Sequence, residues 1–107
     1  MAEEIKGIFI HHVYFWLAEP ENVSHKKLLI EGLKKLASVK TILRYHIGTP
    51  ADTSREVIDS SYSVSWILIF GNAADQDSYQ TDPIHLQFVD ECKHLWKKVQ
   101  VYDTIDV

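Results

Sequence analysis

The fold is decided by the stretch Gly7-Ile8-Phe9-Ile10-His11-His12-Val13-Tyr14-Phe15-Trp16-Leu17. This segment is rich in β-branched and aromatic residues and has no breaker before Glu19-Pro20, a composition that predicts a β-strand. Side chains alternate between the two faces of a strand. One face carries Phe9, His11, Val13, Phe15 and Leu17, and the other carries Ile8, Ile10, His12, Tyr14 and Trp16. Both faces of this strand therefore need cover.

A second segment, Tyr62 to Phe70, repeats the two-sided pattern and predicts another strand, the third in chain order. Tyr62, Val64, Trp66, Leu68 and Phe70 alternate there with Ser63, Ser65, Ile67 and Ile69. In an antiparallel sheet with helices on one side, the opposite face is usually polar and exposed to solvent. An apolar face of this extent therefore marks an association surface. In a dimer with two-fold symmetry, the apolar patch of one copy can pack against the same patch of the other. We therefore expect a homodimer whose interface includes Ile8, Ile10, Tyr14, Trp16, Ile67 and Ile69.

The rest of the chain supplies two helices and two more strands. Asn22 or Ser24 can cap a first helix, whose buried stripe is Leu29, Leu33 and Leu36. The other predicted elements are a second strand from Thr41 to Ile47, a short helical turn capped by Asn72, a helix after Asp82 and a fourth strand from Val99 to Ile105. The order β-α-β-β-α-β predicts an α+β, ferredoxin-like sandwich in one domain over residues 1–107.

The connection from Thr49 to Ser61 is longer than an ordinary hairpin loop. Connections of this length are commonly functional lids or mobile segments. Val57 and Ile58 give the segment an apolar pair to bury within a polar sequence. We interpret it as a lid or as a loop that contacts a partner.

The segment Tyr79-Gln80-Thr81-Asp82-Pro83-Ile84-His85 predicts a helix start that directs a histidine into the core. Asp82 can cap the helix, and Pro83 fits its first position. The core-facing stripe is then His85, Val89, Cys92 and Trp96, flanked by Phe88 and Leu95. Peptide dipoles at a helix start disfavour imidazolium, so His85 would stay neutral and able to accept a proton, with Tyr79 nearby. The alternative is a histidine that only hydrogen-bonds within the core.

Composition excludes several partners. The formal net charge is −4 and the lysines are scattered, so no basic face for nucleic acid is evident. Cys92 is the only cysteine, which rules out an internal disulfide and fits a buried thiol in a reducing compartment. The charged start and short apolar stretches predict neither a signal peptide nor a membrane span. We expect a cytosolic protein.

The histidines do not form a metal-binding pattern. His11 and His12 are adjacent in a strand and point to opposite faces, so they cannot ligate one ion together. His46 could approach His11 across the sheet, but no His-x-His or Cys-x-x-Cys spacing accompanies them. A glycine-rich phosphate loop, a nucleophile elbow and a paired-carboxylate signature are also missing. We expect neither a metal nor a cofactor.

Four motifs carry a family resemblance. They are Ile10-His11-x-Val13-x-Phe15-x-Leu17, Tyr45-His46-Ile47-Gly48, Tyr79-x-x-Asp82-Pro83-x-His85, and Trp96 followed by Val101-Tyr102-Asp103. Together they resemble the stress-responsive A/B-barrel (Dabb) family over nearly the whole chain. The resemblance implies a dimeric α+β barrel, in which two ferredoxin-like sheets pack face to face and a pocket opens between each sheet and its helices.

The resemblance also implies candidate site residues. The family includes a plant enzyme that closes a polyketide by an aldol reaction, and its pocket tyrosine and histidine match Tyr79 and His85. Its first-strand histidine matches His11, whereas its third-strand histidine corresponds to Val64 here. This last difference argues against the same cyclase activity.

Two classes of function follow. The first is a cytosolic homodimer that binds a small apolar or aromatic molecule without chemistry. The second is a cofactor-free enzyme that works next to a carbonyl group, with His85 as base, Tyr79 as proton donor to the enolate and His11 as a secondary polar contact. Such an enzyme would be similar to a polyketide cyclase. Related dimeric α+β barrels suggest a monooxygenase as a further variant.

Overall fold

A computed structural model describes residues 1–107 as one sheet with helices on one of its faces. In chain order the elements are β1 (Phe9–Leu17), α1 (Val23–Leu36), β2 (Arg44–Gly48), β3 (Val64–Phe70), α2 (Ala73–Thr81), α3 (Pro83–Cys92), a 3₁₀ turn (Lys93–Leu95) and β4 (Trp96–Ile105). The strands lie in the order β2-β3-β1-β4, and every neighbouring pair is antiparallel. The predicted ferredoxin-like α+β fold is confirmed, with α2 as an additional helix.

Side-chain caps set the helix starts. Asn22 Oδ1 accepts the His25 N–H at 3.0 Å, and Asp82 Oδ1 accepts the Ile84 N–H at 2.9 Å, with Pro83 as the first residue of α3. Asn22 is one of the two candidates for the first cap and Asp82 is the predicted second cap, and each satisfies an amide that has no partner within its helix. Asn72 also acts as a cap, but it begins a nine-residue helix rather than a short turn. Tyr79 therefore lies on α2.

The predicted end of the last helix is wrong. α3 stops at Cys92, and Trp96 is the first residue of β4 rather than a member of the helical stripe. Trp96 pairs with Leu17, the last residue of β1, so sheet pairing overrides the helical spacing here. The fourth strand consequently begins at Trp96 instead of Val99. The second strand is shorter than predicted, because regular pairing starts at Arg44.

The inner face of the sheet and the helices form the core. Leu29, Leu33 and Leu36 of α1 are buried as predicted, and Phe88 and Cys92 of α3 face them, whereas Val89 is only partly buried. The two helices approach closely at Gly32, where an added Cβ would lie 2.6 Å from Cys92 Sγ. The inner-face side chains of β1 and β3 complete the core; they are Phe9, His11, Val13, Phe15, Leu17, Val64, Trp66, Leu68 and Phe70.

No helix covers the opposite face of the sheet, which we call the open face. Its β1 and β3 side chains are half-buried; they are Ile10, His12, Tyr14, Trp16, Ser65, Ile67 and Ile69. The two-sided pattern read from the sequence is thus present in the fold. His46 also belongs to this face, because it pairs with Ile67, which in turn pairs with His12. The approach of His46 to His11 that the sequence left open therefore does not occur, because the two side chains lie on opposite faces.

The long connection between β2 and β3 does not bury its apolar pair as expected. Val57 is exposed, and Ile58 is half-buried. The end of the connection is fixed by hydrogen bonds to β1, since Ser63 Oγ accepts the Leu17 N–H and Ser61 Oγ accepts the Trp16 indole N–H. Its role as a lid or partner contact stays a prediction. None of the helices has the length and apolar character needed to cross a bilayer.

Candidate functional site

A cavity of about 190 Å³ lies between the sheet and the helices. Four of its lining residues are polar, namely His11, Tyr79, Gln80 and His85, and the others are Val13, Phe15, Leu36, Trp66, Phe88, Val89, Trp96, Val99 and Val101. The cavity is therefore apolar and aromatic except at the end that holds the two histidines and the tyrosine. It contains no lysine or arginine, which makes it unsuited to a charged phosphate or carboxylate group.

The three residues singled out from the sequence meet at this cavity. The ring centroids of Tyr79 and His85 are 4.7 Å apart, and those of His11 and Tyr79 are 5.8 Å apart. β1 contributes His11, the last turn of α2 contributes Tyr79, and the first turn of α3 contributes His85. The break between α2 and α3 at Asp82 places the tyrosine and the second histidine side by side.

His85 is a half-buried histidine with one buried ring nitrogen that has no partner. Its Nδ1 is shielded from solvent and makes no hydrogen bond within the chain. Burial lowers the pKa of His85, nearby His11 lowers it further, and Asp82 opposes the shift. The ring is therefore neutral at physiological pH, as the sequence predicted, although burial rather than the helix start is the main cause. A neutral imidazole of this kind can accept a proton or a hydrogen bond.

Tyr79 is a buried phenol that keeps its proton. The Trp66 indole N–H donates to the Tyr79 hydroxyl at 3.2 Å. Burial raises the pKa of Tyr79 to about 12, and the hydrogen bond from Trp66 offsets part of that rise. Because the hydroxyl accepts from Trp66, its own proton remains available to a group in the cavity.

His11 is held by an acidic residue that the sequence analysis did not select. Its Nδ1 lies 2.5 Å from Asp103 Oδ1, and the histidine is buried while the aspartate side chain is 44% exposed. An ionised carboxylate only accepts hydrogen bonds, so Nδ1 carries the proton and Nε2 is left for other contacts. The signal was the alternation Val99-x-Val101-x-Asp103, which places an acid on the inward face of the last strand.

Trp66 is the other residue with a polar role that the pattern did not reveal. The sequence placed it in the core, where it is buried, but gave no partner for its indole N–H. Cys92 lies apart from the polar end of the cavity, and burial raises the pKa of its thiol, which disfavours the thiolate. No group of three or more histidine, cysteine or carboxylate side chains is placed to hold a metal ion.

Comparisons with known proteins agree with this architecture. A Dabb family protein with a ferredoxin-like fold from Mesorhizobium loti is 20% identical, with a TM-score of 0.77 over 95% of this chain and 99% of that one. A hydroxynitrile lyase from Passiflora edulis is 19% identical, with a TM-score of 0.76 over 96% of both chains. A dimeric ferredoxin-like protein of unknown function from Bacteroides fragilis is 18% identical, with a TM-score of 0.71 over 96% of this chain and 100% of that one.

At these identities the three structures share the fold with this chain and nothing more can be transferred from them directly. No curated protein matches the chain. The family model described as the Stress responsive A/B Barrel Domain matches residues 10–106. This match covers nearly the whole chain, including all three residues at the polar end of the cavity, and the chain therefore belongs to the Dabb family.

Proposed function

We propose that the protein is a homodimer that binds a small, neutral, largely apolar molecule in the cavity between sheet and helices. The observation that carries the binding site is His85, whose buried Nδ1 makes no hydrogen bond, at the polar end of an apolar cavity of about 190 Å³. A dry cavity of roughly 150 Å³ is large enough for one benzene ring. The ligand is therefore a single ring that carries one hydrogen-bonding group directed at His85.

The open face of the sheet supports the homodimer. It presents half-buried Ile10, Tyr14, Trp16, Ile67 and Ile69 on one side of a fold whose helices all lie on the other. Burial of apolar surface contributes roughly 25 cal/mol per Å² before the cost of association is subtracted. The dimeric relative from Bacteroides fragilis is consistent with this use of the fold.

Binding can be tested with phenol, benzaldehyde and acetophenone as probes. We expect calorimetric titration to detect binding to the wild type and a large loss of affinity in Val89→Phe, because the larger side chain fills the cavity. Leu86→Phe is the matched control, since Leu86 lies on the same helix and is 57% exposed. The binding proposal is wrong if no probe binds, or if the two variants bind as the wild type does.

Acid–base chemistry on a carbonyl compound is the second candidate, and the protonation states favour it. His85 is neutral and unpartnered, whereas Tyr79 retains its proton beside it. His85 would remove a proton from the carbon next to the carbonyl, and the Tyr79 hydroxyl would donate to the developing enolate oxygen. The relative from Passiflora edulis, named a hydroxynitrile lyase, supports a catalytic use of this fold by analogy only.

Exchange of carbon-bound protons in D₂O tests this chemistry without knowledge of the natural substrate. We expect the protein to accelerate loss of the α-proton NMR signals of acetophenone or phenylacetone, and His85→Ala to slow that exchange by about 10²- to 10⁴-fold. The dimer should remain intact in the variant, because His85 lies on the helix side of the sheet. Equal exchange in the variant, or no exchange above buffer in the wild type, would remove the enzyme hypothesis and leave the binding proposal standing.

A further inference from the structure

A second hollow lies on the open face, at the end of the sheet where β1 finishes. This aromatic cleft has a volume of about 300 Å³ and is lined by Tyr14, Trp16, Asp59, Tyr62, Gln100 and Tyr102. The Tyr14 ring stands edge-on to Tyr62 at 4.9 Å and to Tyr102 at 6.1 Å between centroids. Three tyrosine rings and one indole therefore converge on one space, and a single carboxylate stands at its rim.

The chemistry of the aromatic cleft suits a cation. Ring faces attract cations, and Trp16 already does so within the chain, since the Lys98 ammonium lies 4.4 Å from its ring centroid. Hydrogen bonds from Ser61 lower the pKa of Asp59, and the positive charge of Lys98 lowers it a little further, so the carboxylate is charged at neutral pH. A planar guanidinium can stack flat on a ring while its N–H groups form a fork onto a carboxylate, whereas an ammonium is a point charge without that planar fork.

The open face also carries one such guanidinium at its opposite corner. Arg44 begins β2, is exposed, and has no carboxylate within 4.0 Å. It pairs with Ile69, which pairs with Ile10 near the start of β1, whereas the cleft lies around Tyr14 and Trp16 at the other end of β1 and extends to β4. Strand spacing and rise place this corner about 20 Å from the aromatic cleft, beyond the reach of an arginine side chain. The chain cannot fill its own cleft with Arg44.

We propose that Arg44 of a second copy occupies the aromatic cleft in the homodimer. Arg44 and the cleft lie at opposite ends of one diagonal of the open face. A two-fold axis along the other diagonal brings Arg44 of each copy over the cleft of the opposite copy. The same axis makes the strands of the two sheets cross near a right angle, one of the two common ways in which sheets pack. This inference rests on the proposed homodimer and adds its orientation and its polar anchor.

Charge reversal tests the contact. We expect sedimentation to show that Arg44→Glu or Asp59→Arg raises the dimer Kd by about 10- to 100-fold, because two equivalent contacts are lost per dimer. The double variant Arg44→Glu/Asp59→Arg should recover part of that loss, since it re-forms the pair with the charges exchanged. Lys34→Glu is the matched control, as it makes the same change of charge on an exposed position of α1, on the helix side.

The possible results distinguish failure of the Arg44 contact from failure of the proposed homodimer. If the wild type is a monomer at micromolar concentration, the homodimer is wrong and the inference falls with it. If the wild type is a dimer but Arg44→Glu behaves like Lys34→Glu, the homodimer stands and only the contact is wrong. Loss of affinity in each single variant without any recovery in the double variant also contradicts the pairing of these two residues.

Discussion

The two faces of the sheet are built from the same strands, and they differ in what completes them. On the inner face Leu68 and Trp66 are almost fully buried by the chain's own helices. On the open face their neighbours Ile67 and Ser65 remain half-buried. One face therefore has its folding partner within the chain, whereas the other is left uncovered by the chain and is the face that the proposed homodimer would bury.

His11 and His12, which are adjacent in β1, show that the two faces also differ in their polar contacts. His11 points inward, is 6% exposed and bonds to Asp103 at the edge of the cavity. His12 points to the open face, where it hydrogen-bonds only with Tyr14, and burial lowers its pKa, with smaller effects from His11 and His46. A step of one residue thus separates a candidate site residue from a candidate interface residue.

The largest effect is expected from a charge on the open face. Ile10→Glu should raise the dimer Kd by at least about 100-fold, because a buried and unpaired carboxylate costs several kcal/mol. Sedimentation at micromolar concentration would then show a monomer. Val23→Glu, at an exposed position on the helix side, is the control and should remain dimeric. A stable Ile10→Glu dimer would mean that the open face is not the interface.

Truncation of two neighbouring residues, one on each face, tests the difference between the inner face and the open face. Leu68→Ala should lower the free energy of unfolding by about 2–5 kcal/mol at any protein concentration, since Leu68 is fully buried within one chain. Ile67→Ala should instead produce a loss that shrinks as the protein is diluted, because in the proposed homodimer the second copy covers Ile67. Denaturant titrations at two concentrations distinguish the cases. The same concentration dependence in both variants would contradict the division between faces.

Local sequence signals account for much of the fold. Alternation within β1 was enough to separate Phe9 from Ile10, and the caps Asn22 and Asp82 marked the starts of α1 and α3. These features depend on neighbours within a few residues. They could be predicted because alternation and capping act over one or two turns of chain.

The features that the sequence did not yield depend on distant contacts. Trp96 leaves the helix because it pairs with Leu17, and His46 sits with His12 because of the register of β2 on β3. The bond between His11 and Asp103 joins residues 92 positions apart. Periodicity carries no information about such pairings, so the helix end, the position of His46 and the partner of His11 had to come from the structure. The cytosolic location stays a prediction.

Acidification should destabilise the protein through one histidine on each face of the sheet. Burial lowers the pKa of both His85 and His12 below the ordinary value of 6.5, so the unfolded chain binds more protons than the folded one as pH falls below about 6.5. The free energy of unfolding should therefore decrease with acidification from that pH down to the folded-state pKa of each group. Denaturant titrations at pH 7 and pH 5 measure the difference.

His85→Gln and His12→Gln should each make the unfolding free energy less sensitive to pH over that range. The His85 variant should do so at every protein concentration, whereas the His12 variant should alter the pH dependence of dimer dissociation as well. An unchanged pH dependence in both variants would show that neither ring is buried in its neutral form. An effect of His12→Gln on unfolding alone would place that residue outside the interface.

The smallest effect is expected at Asp103. Asp103→Asn should lower the free energy of unfolding by no more than about 1 kcal/mol, because the aspartate is partly exposed and the amide oxygen can still accept from His11. The change should be visible mainly at the ring, where ¹⁵N NMR reports which nitrogen carries the proton. In the wild type we expect the proton on Nδ1, and in the variant a mixture of both tautomers, since an amide can also donate. A loss of several kcal/mol would instead make the His11–Asp103 pair a structural element of the inner face, and an unchanged tautomer would mean that another group orients the ring.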